Sequence, residues 1–191
     1  AYQAMERQFQ SRIGLAIGGD DDADRRQHRQ NIWNQMRFFA FDSFEGLPTL
    51  TSDDTETHDF RQGQYACAED EFRRIVTQAG IPEPRLRTVP GWFDQTCNAQ
   101  TRKHFQLQKA AVVWIDADLY SSTITALNFV TDLLQDGTVL IFDDWFSYRG
   151  SPLHGEQRAF REWMITLTNR FSFQEYQREG WKRMSFICST L

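Results

Sequence analysis

The sequence predicts a doubly wound α/β domain, with a mostly parallel sheet and an antiparallel C-terminal hairpin. Three observations predict it. Short apolar runs end abruptly in carboxylates, as at Phe38–Asp42, Ala110–Asp116 and Thr138–Asp144. Helical segments alternate with those runs, the pattern of parallel strands joined by crossover helices. Two strand-like runs, Phe171 to Tyr176 and Arg183 to Cys188, close the chain with only a short link between them.

In order along the chain, Tyr2, Met5, Phe9 and Ile13 recur at helical spacing. An acidic break runs from Gly18 to Asp24, and a polar stretch from Arg25 to Gln35 reads as a solvated helix. Phe38 to Phe41 is a buried strand stopped by Asp42, with Ser43-Phe44-Glu45-Gly46-Leu47-Pro48 as its turn. Thr49 to Gly63 reads as a polar surface loop. Glu69 to Ala79 is an amphipathic helix ended by Gly80, with Pro82 beyond it. Leu86 to Val89 is a strand candidate. Thr101 to Gln108 reads as helix, Ala110 to Ile115 as strand, Ser122 to Leu134 as helix, Thr138 to Phe142 as strand and Gly155 to Asn169 as a long helix. The whole, residues 1–191, is expected to form one domain: a helical and polar N-terminal segment over 1–36 and the core over 37–191.

Bulk properties narrow the function. The 191 residues are 40% hydrophobic, with six Trp and sixteen Phe, enough for a proper core. The formal net charge of -5 lacks the basic footprint of nonspecific nucleic-acid binding, so no nucleic-acid partner is expected. No apolar run approaches the ~20 residues of a membrane span, and no signal peptide is visible, so no membrane partner is expected. Cys67, Cys97 and Cys188 are scattered and odd in number, which points to a reducing cytoplasm.

The chemistry lies at the strand ends. In an open α/β sheet, ligands sit outside the carboxyl ends of the strands. Neighbouring parallel strands would bring Asp116, Asp143 and Asp144 to one crevice, and three hard oxygen donors suit Mg²⁺. Adjacent carboxylates after an apolar strand repel unless a cation or hydrogen bonds compensate. The structural alternative is that Asp116 caps the helix near Ser121 and Asp143-Asp144 forms a turn. Asp118 either caps that helix or touches the cation or substrate. Asp42 either receives a ribose diol or caps its own turn. Trp92, Phe93, Trp145 and Tyr148 follow strand ends and either wall a ligand pocket or fill the core. Arg149 lies with Tyr148 in a substrate-facing loop. His154 and His104 are candidate bases because histidine titrates near neutral pH.

The ordered set Phe41-Asp42-Ser43-Phe44-Glu45-Gly46-Leu47-Pro48, Pro90-Gly91-Trp92-Phe93 with Thr96, Ile115-Asp116-Ala117-Asp118-Leu119-Tyr120-Ser121-Ser122-Thr123, Phe142-Asp143-Asp144-Trp145 and Gly155-Glu156-Gln157 with Ala159-Phe160 resembles the macrocin O-methyltransferase family, from about Phe38 to Cys188. The resemblance implies the class I methyltransferase fold, S-adenosylmethionine as cofactor and Mg²⁺ dependence. It implies the cation on Asp116, Asp143 and Asp144. It places the ribose on Asp42, with Ser43 and Phe44 beside it, and the Gly91-Trp92-Phe93 turn near the adenine. Asp116 would border both cofactor and metal. The acceptor implied is a hydroxyl of a sugar or other small molecule. Relatives often associate, which allows a homo-oligomer.

One departure stands out: no clear strand and glycine-rich turn precedes the Asp42 strand. Either the sequence begins after that motif, leaving this chain without the first strand, or Ile13-Gly14-Leu15-Ala16-Ile17-Gly18-Gly19 is a degenerate version.

The expected reaction is in-line methyl transfer, dependent on placing an oxygen behind the sulfonium methyl. Asp116 or Asp118 is the first choice of base and His154 the second. Two rivals are a noncatalytic methyltransferase-like binding module and a metal-dependent hydrolase using the same carboxylates.

Overall fold

The computed structural model describes residues 23–54, 60–167 and 169–191. The helix expected from Tyr2 to Ile13 and the glycine turn expected over Ile13–Gly19 lie outside the described residues. Described contacts gather into two compact units, residues 23–44 with 67–90, and residues 45–66 with 91–191.

In the first unit, α1 (Ala23–Gln35) precedes β1 (Phe38–Asp42), and α2 (Glu69–Gln78) precedes a 3-10 turn (Glu83–Arg85) and β2 (Leu86–Pro90). Glu69, Asp70 and Glu71 place negative charge on the first turn of α2, where the helix dipole favours it. The strands pair in parallel, from Phe38 opposite Leu86 to Asp42 opposite Pro90. Arg85 fastens α1 to the sheet. Its Nε donates to the Met36 carbonyl at 2.8 Å, a terminal nitrogen donates to the Trp33 carbonyl, and its plane lies over the rings of Trp33 and Phe38.

The second unit holds α3 (Phe93–Thr96), α4 (Ala99–His104), β3 (Val112–Ile115), α5 (Tyr120–Val130) with a 3-10 turn (Thr131–Leu133), β4 (Val139–Phe142), a 3-10 turn (Tyr148–Gly150), α6 (Gly155–Thr166), β5 (Phe171–Glu179) and β6 (Arg183–Thr190). Its sheet runs β3-β4-β6-β5. β3 and β4 are parallel, and β5 and β6 form the antiparallel hairpin that the sequence predicts. Strand β4 is buried throughout, as its unbroken Val-Leu-Ile-Phe run requires. Helices α5 and α6 pack together. Phe160 of α6 centres the core, with the rings of Phe142, Trp145, Phe173 and Phe186 at 5.3, 5.4, 5.5 and 4.7 Å.

Several boundaries move from expectation. The Ser122–Leu134 helix starts at Tyr120 and tightens into a 3-10 turn after Val130. The Thr101–Gln108 helix is shorter and earlier, because Asn98 caps it by accepting from the Thr101 N–H. The Gly155–Asn169 helix ends at Thr166. The polar loop expected over Thr49–Gly63 is not all surface: Asp54 is 1% exposed and Phe60 is buried with Leu47 and Leu119. No described helix is long and apolar enough to cross a membrane.

Candidate metal and catalytic centre

The centre forms where two parallel strands stop together. Ile115 pairs with Phe142 at the last rung of β3 and β4, and the Asp143 N–H donates to the Ile115 carbonyl at 2.9 Å. The next residues, Asp116 and Asp143-Asp144, therefore leave the sheet side by side. One oxygen from each of Asp116, Asp143 and Asp144 lies within 4.8 Å of the others. Asp116 is exposed, while Asp144 is 2% exposed.

The loop after β4 is held by the start of α6. The Asp144 N–H donates to Glu156 Oε2 at 2.9 Å, and Gln157 Nε2 donates to the Trp145 carbonyl at 2.7 Å. Gly155 precedes them at a φ of +52°, and a Cβ there would collide with the Tyr148 ring. These contacts give the Gly155-Glu156-Gln157 run its local meaning.

A second strand meets the centre head-on. β6 runs antiparallel to β4, with Met184 opposite Phe142, so the residues before Met184 reach the acidic end. Lys182 Nζ pairs with Asp144 Oδ1, and Arg183 Nε pairs with Asp143 Oδ1. The Phe146 N–H donates to the Lys182 carbonyl at 3.1 Å. The sequence reading missed both cations. The available signal was that a closing strand antiparallel to β4 begins with Lys182-Arg183 at the end where β4 delivers its carboxylates.

Burial and mutual repulsion shape the protonation of this cluster. Although Asp116 keeps much of its surface in water, desolvation of its carboxyl by the surrounding strand ends, then the charges of Asp143 and Asp144, push it up to about 6. Burial, then the charge of Asp144 and a hydrogen bond with it, push Asp118 well above the usual carboxylate range. Burial, then the charge of Asp144, hold Glu156 well above the usual carboxylate range. For Lys182, burial works against the charge, but the hydrogen bond and charge of Asp144 outweigh it and hold the ammonium above an ordinary lysine. Among the described residues, Asp144 Oδ2 is buried with no hydrogen-bond partner.

The other expected site residues fall as follows. Neither Asp116 nor Asp118 caps α5. Asp54 takes that place, accepting from the Ser121 N–H at 3.1 Å and the Ser121 hydroxyl at 2.7 Å. Asp118 holds a left-handed φ of 57°, and its carbonyl accepts from the Tyr148 hydroxyl at 3.1 Å. Trp145 is 8% exposed and its ring contacts Phe142, Phe160 and Phe186, the core alternative of its two readings. Tyr148 stacks near His154, with centroids 6.0 Å apart, and packs on Phe60 at 5.6 Å. Arg149 is exposed in a left-handed turn. His104 ends α4 with its ring edge-on to Phe105.

In the first unit, the Asp42 Oδ1 accepts from the Phe44 N–H at 2.7 Å, the turn-capping alternative, with Ser43 between them half-buried. In the second, Gly91 sits at a φ of +130°, where a Cβ would press on Thr96 Cγ2 at 2.9 Å. Trp92 follows it at the N-cap of α3, and Phe93 packs against the core.

Residues 27–163 match the family model for macrocin-O-methyltransferase. A tetracenomycin-C rhamnosyl 4'-O-methyltransferase of Streptomyces olivaceus is 31% identical over 69% of this chain and 51% of its own length. Mycinamicin III 3''-O-methyltransferase of Micromonospora griseorubida is 29% identical over 54% of this chain and 42% of its own. A tyrosine–tRNA ligase of Pectobacterium atrosepticum is 26% identical over 83% of this chain and 37% of its own. The chain thus spans about half the length of the curated methyltransferases it matches. Among solved structures, the O-methyltransferase NovP superposes with a TM-score of 0.61 at 20% identity, over 86% of this chain and 64% of its own. That likeness establishes the class I methyltransferase fold.

Proposed function

Because the chain belongs to the macrocin O-methyltransferase family, we propose that it transfers a methyl group from S-adenosylmethionine to a hydroxyl of a sugar or other small-molecule natural product, with Mg²⁺ held by Asp116, Asp143 and Asp144. The relative named for a rhamnosyl-bearing tetracenomycin supports that class of acceptor. The observation that carries the reading is the convergence of the three carboxylates within 4.8 Å at the ends of adjacent strands.

The residues fit a divalent cation. The donor set is all oxygen, as Mg²⁺ prefers. The buried Asp144 Oδ2 has no partner among the described residues, and such an orphan costs free energy unless something coordinates it. A bound Mg²⁺ would acidify and orient the acceptor hydroxyl. The chain's own groups do the rest. Asp118, two residues beyond Asp116, is the proposed acceptor of the hydroxyl proton, with Asp116 and His154 the alternatives. Tyr148 and Arg149 are proposed to face the acceptor. Asp42, Ser43 and Phe44, and separately Gly91, Trp92, Phe93 and Asp116, are proposed to bind the cofactor.

Calorimetry with S-adenosylmethionine, with and without Mg²⁺, tests this. Binding of the cofactor, and an acceptor-dependent turnover lost on adding a chelator, are expected. Absence of heat with cofactor or demethylated product rejects the enzymatic reading. It would favour a noncatalytic binding module, a reading supported by the Lys182 and Arg183 ion pairs that already engage two of the three carboxylates.

A further inference from the structure

We propose that Lys182 is a resident counter-cation of the acidic centre, neutralising Asp144 in the metal-free protein and competing with a divalent cation for it. The inference rests on the metal reading above. The pair is lopsided: the Asp144 side chain is 1% exposed and that of Lys182 35%. The carboxylate cannot reach water, whereas the ammonium can. The Lys182 backbone is pinned by the Phe146 N–H, so exchange needs only rotation of a flexible four-carbon stem.

Arg183 is placed differently. Its guanidinium pairs with Asp143 and also lies over the Trp114 ring at 5.2 Å, two anchors that keep it in place. Lys182 is therefore the exchangeable charge. With all three carboxylates ionised, the cluster carries -3, and Lys182 with Arg183 brings it to -1. A divalent cation added to both pairs would give +1, and release of Lys182 to solvent returns the site to zero. Lys182 also engages only Asp144 Oδ1, leaving Oδ2 for a ligand of a different kind.

The test is Lys182→Met, which keeps the stem and removes the charge, with Lys182→Gln as a second neutral variant and Lys182→Arg as the conservative control. Titration calorimetry with MgCl2 is expected to show binding at least about tenfold tighter in the neutral variants, with Lys182→Arg near wild type. Without metal, the neutral variants should melt about 2–4 °C lower, and added Mg²⁺ should close the gap. Equal or weaker Mg²⁺ affinity in the neutral variants, with wild type binding, overturns the proposal. Should none of the proteins bind Mg²⁺, the metal reading falls. The metal-free melts then judge Lys182 alone: a lowered melt supports the counter-cation, and an unchanged or raised one overturns it.

Discussion

The Tyr148 hydroxyl donates to the Asp118 carbonyl across 3.1 Å, joining the loop after β4 to a residue held at a φ of 57°. A left-handed non-glycine residue persists only where its surroundings over-determine it. The hydrogen bond, the Tyr148 packing on Phe60 and the turn that joins Leu119 N–H to the Ala117 carbonyl supply that determination. Tyr148→Phe should keep the ring packing and lose the bond. Stability is expected to fall by about 1 kcal/mol in urea unfolding. kcat should fall with KM little changed, because Asp118 loses its fixed orientation; wild-type kcat would count against a positioning role for Tyr148.

Asp143→Asn should abolish Mg²⁺-dependent turnover while leaving the far-ultraviolet dichroism of the fold intact. The amide keeps the shape and loses the charge that a cation requires. Full activity in this variant rejects the assignment of Asp143 to the metal.

Asp42→Ala should weaken S-adenosylmethionine binding about tenfold, the worth of a charged hydrogen bond, with Mg²⁺ affinity unchanged. Calorimetry separates the two. Unchanged cofactor affinity would leave Asp42 with only the turn it caps through the Phe44 N–H.

Asp54 gives the fold a pH dependence of definite sign. Burial works to raise its pKa, but hydrogen bonds from Thr51 and Ser121 override it and hold the carboxyl below the usual range. A depressed folded pKa contributes stability above the unfolded value of about 3.9 and loses it as pH falls through the folded value. Asp54→Asn should cost about 1–2 kcal/mol at neutral pH. It should also flatten the decline of stability below about pH 4. Urea unfolding from pH 7 to pH 3 measures both; a variant whose decline matches wild type would remove Asp54 as a cause.

Gly155→Ala should lower the melting temperature, since the new Cβ meets both a positive φ and the Tyr148 ring. The cost should shrink in a Tyr148→Ala background, where the ring is gone and only the backbone strain remains. An undiminished cost there would show that φ alone is responsible.

Much of this site was legible because its signals are local in the chain. Apolar runs that stop at carboxylates mark strand ends, and Asp116, Asp143 and Asp144 needed only neighbouring parallel strands to meet. For Trp145 both readings stayed open, because an aromatic residue beside a strand end reads the same in sequence whether it lines a pocket or plugs the core; only the surrounding Phe142, Phe160 and Phe186 show its packing. Capping of α5 was an alternative open to Asp116 and Asp118 because they lie just ahead of it, whereas the carboxylate that binds its first turn is Asp54, 67 residues before Ser121.

What the sequence determined by itself is the type and order of the strands and helices and the acidic chemistry at two strand ends, because periodicity and turn residues act over a few positions. What the tertiary structure decided is which charges face those carboxylates. Lys182 and Arg183 lie some forty residues beyond Asp143 and Asp144, and they arrive there only because β6 pairs antiparallel with β4. Strand register is set by long-range hydrogen bonding and burial, which no short stretch of sequence records.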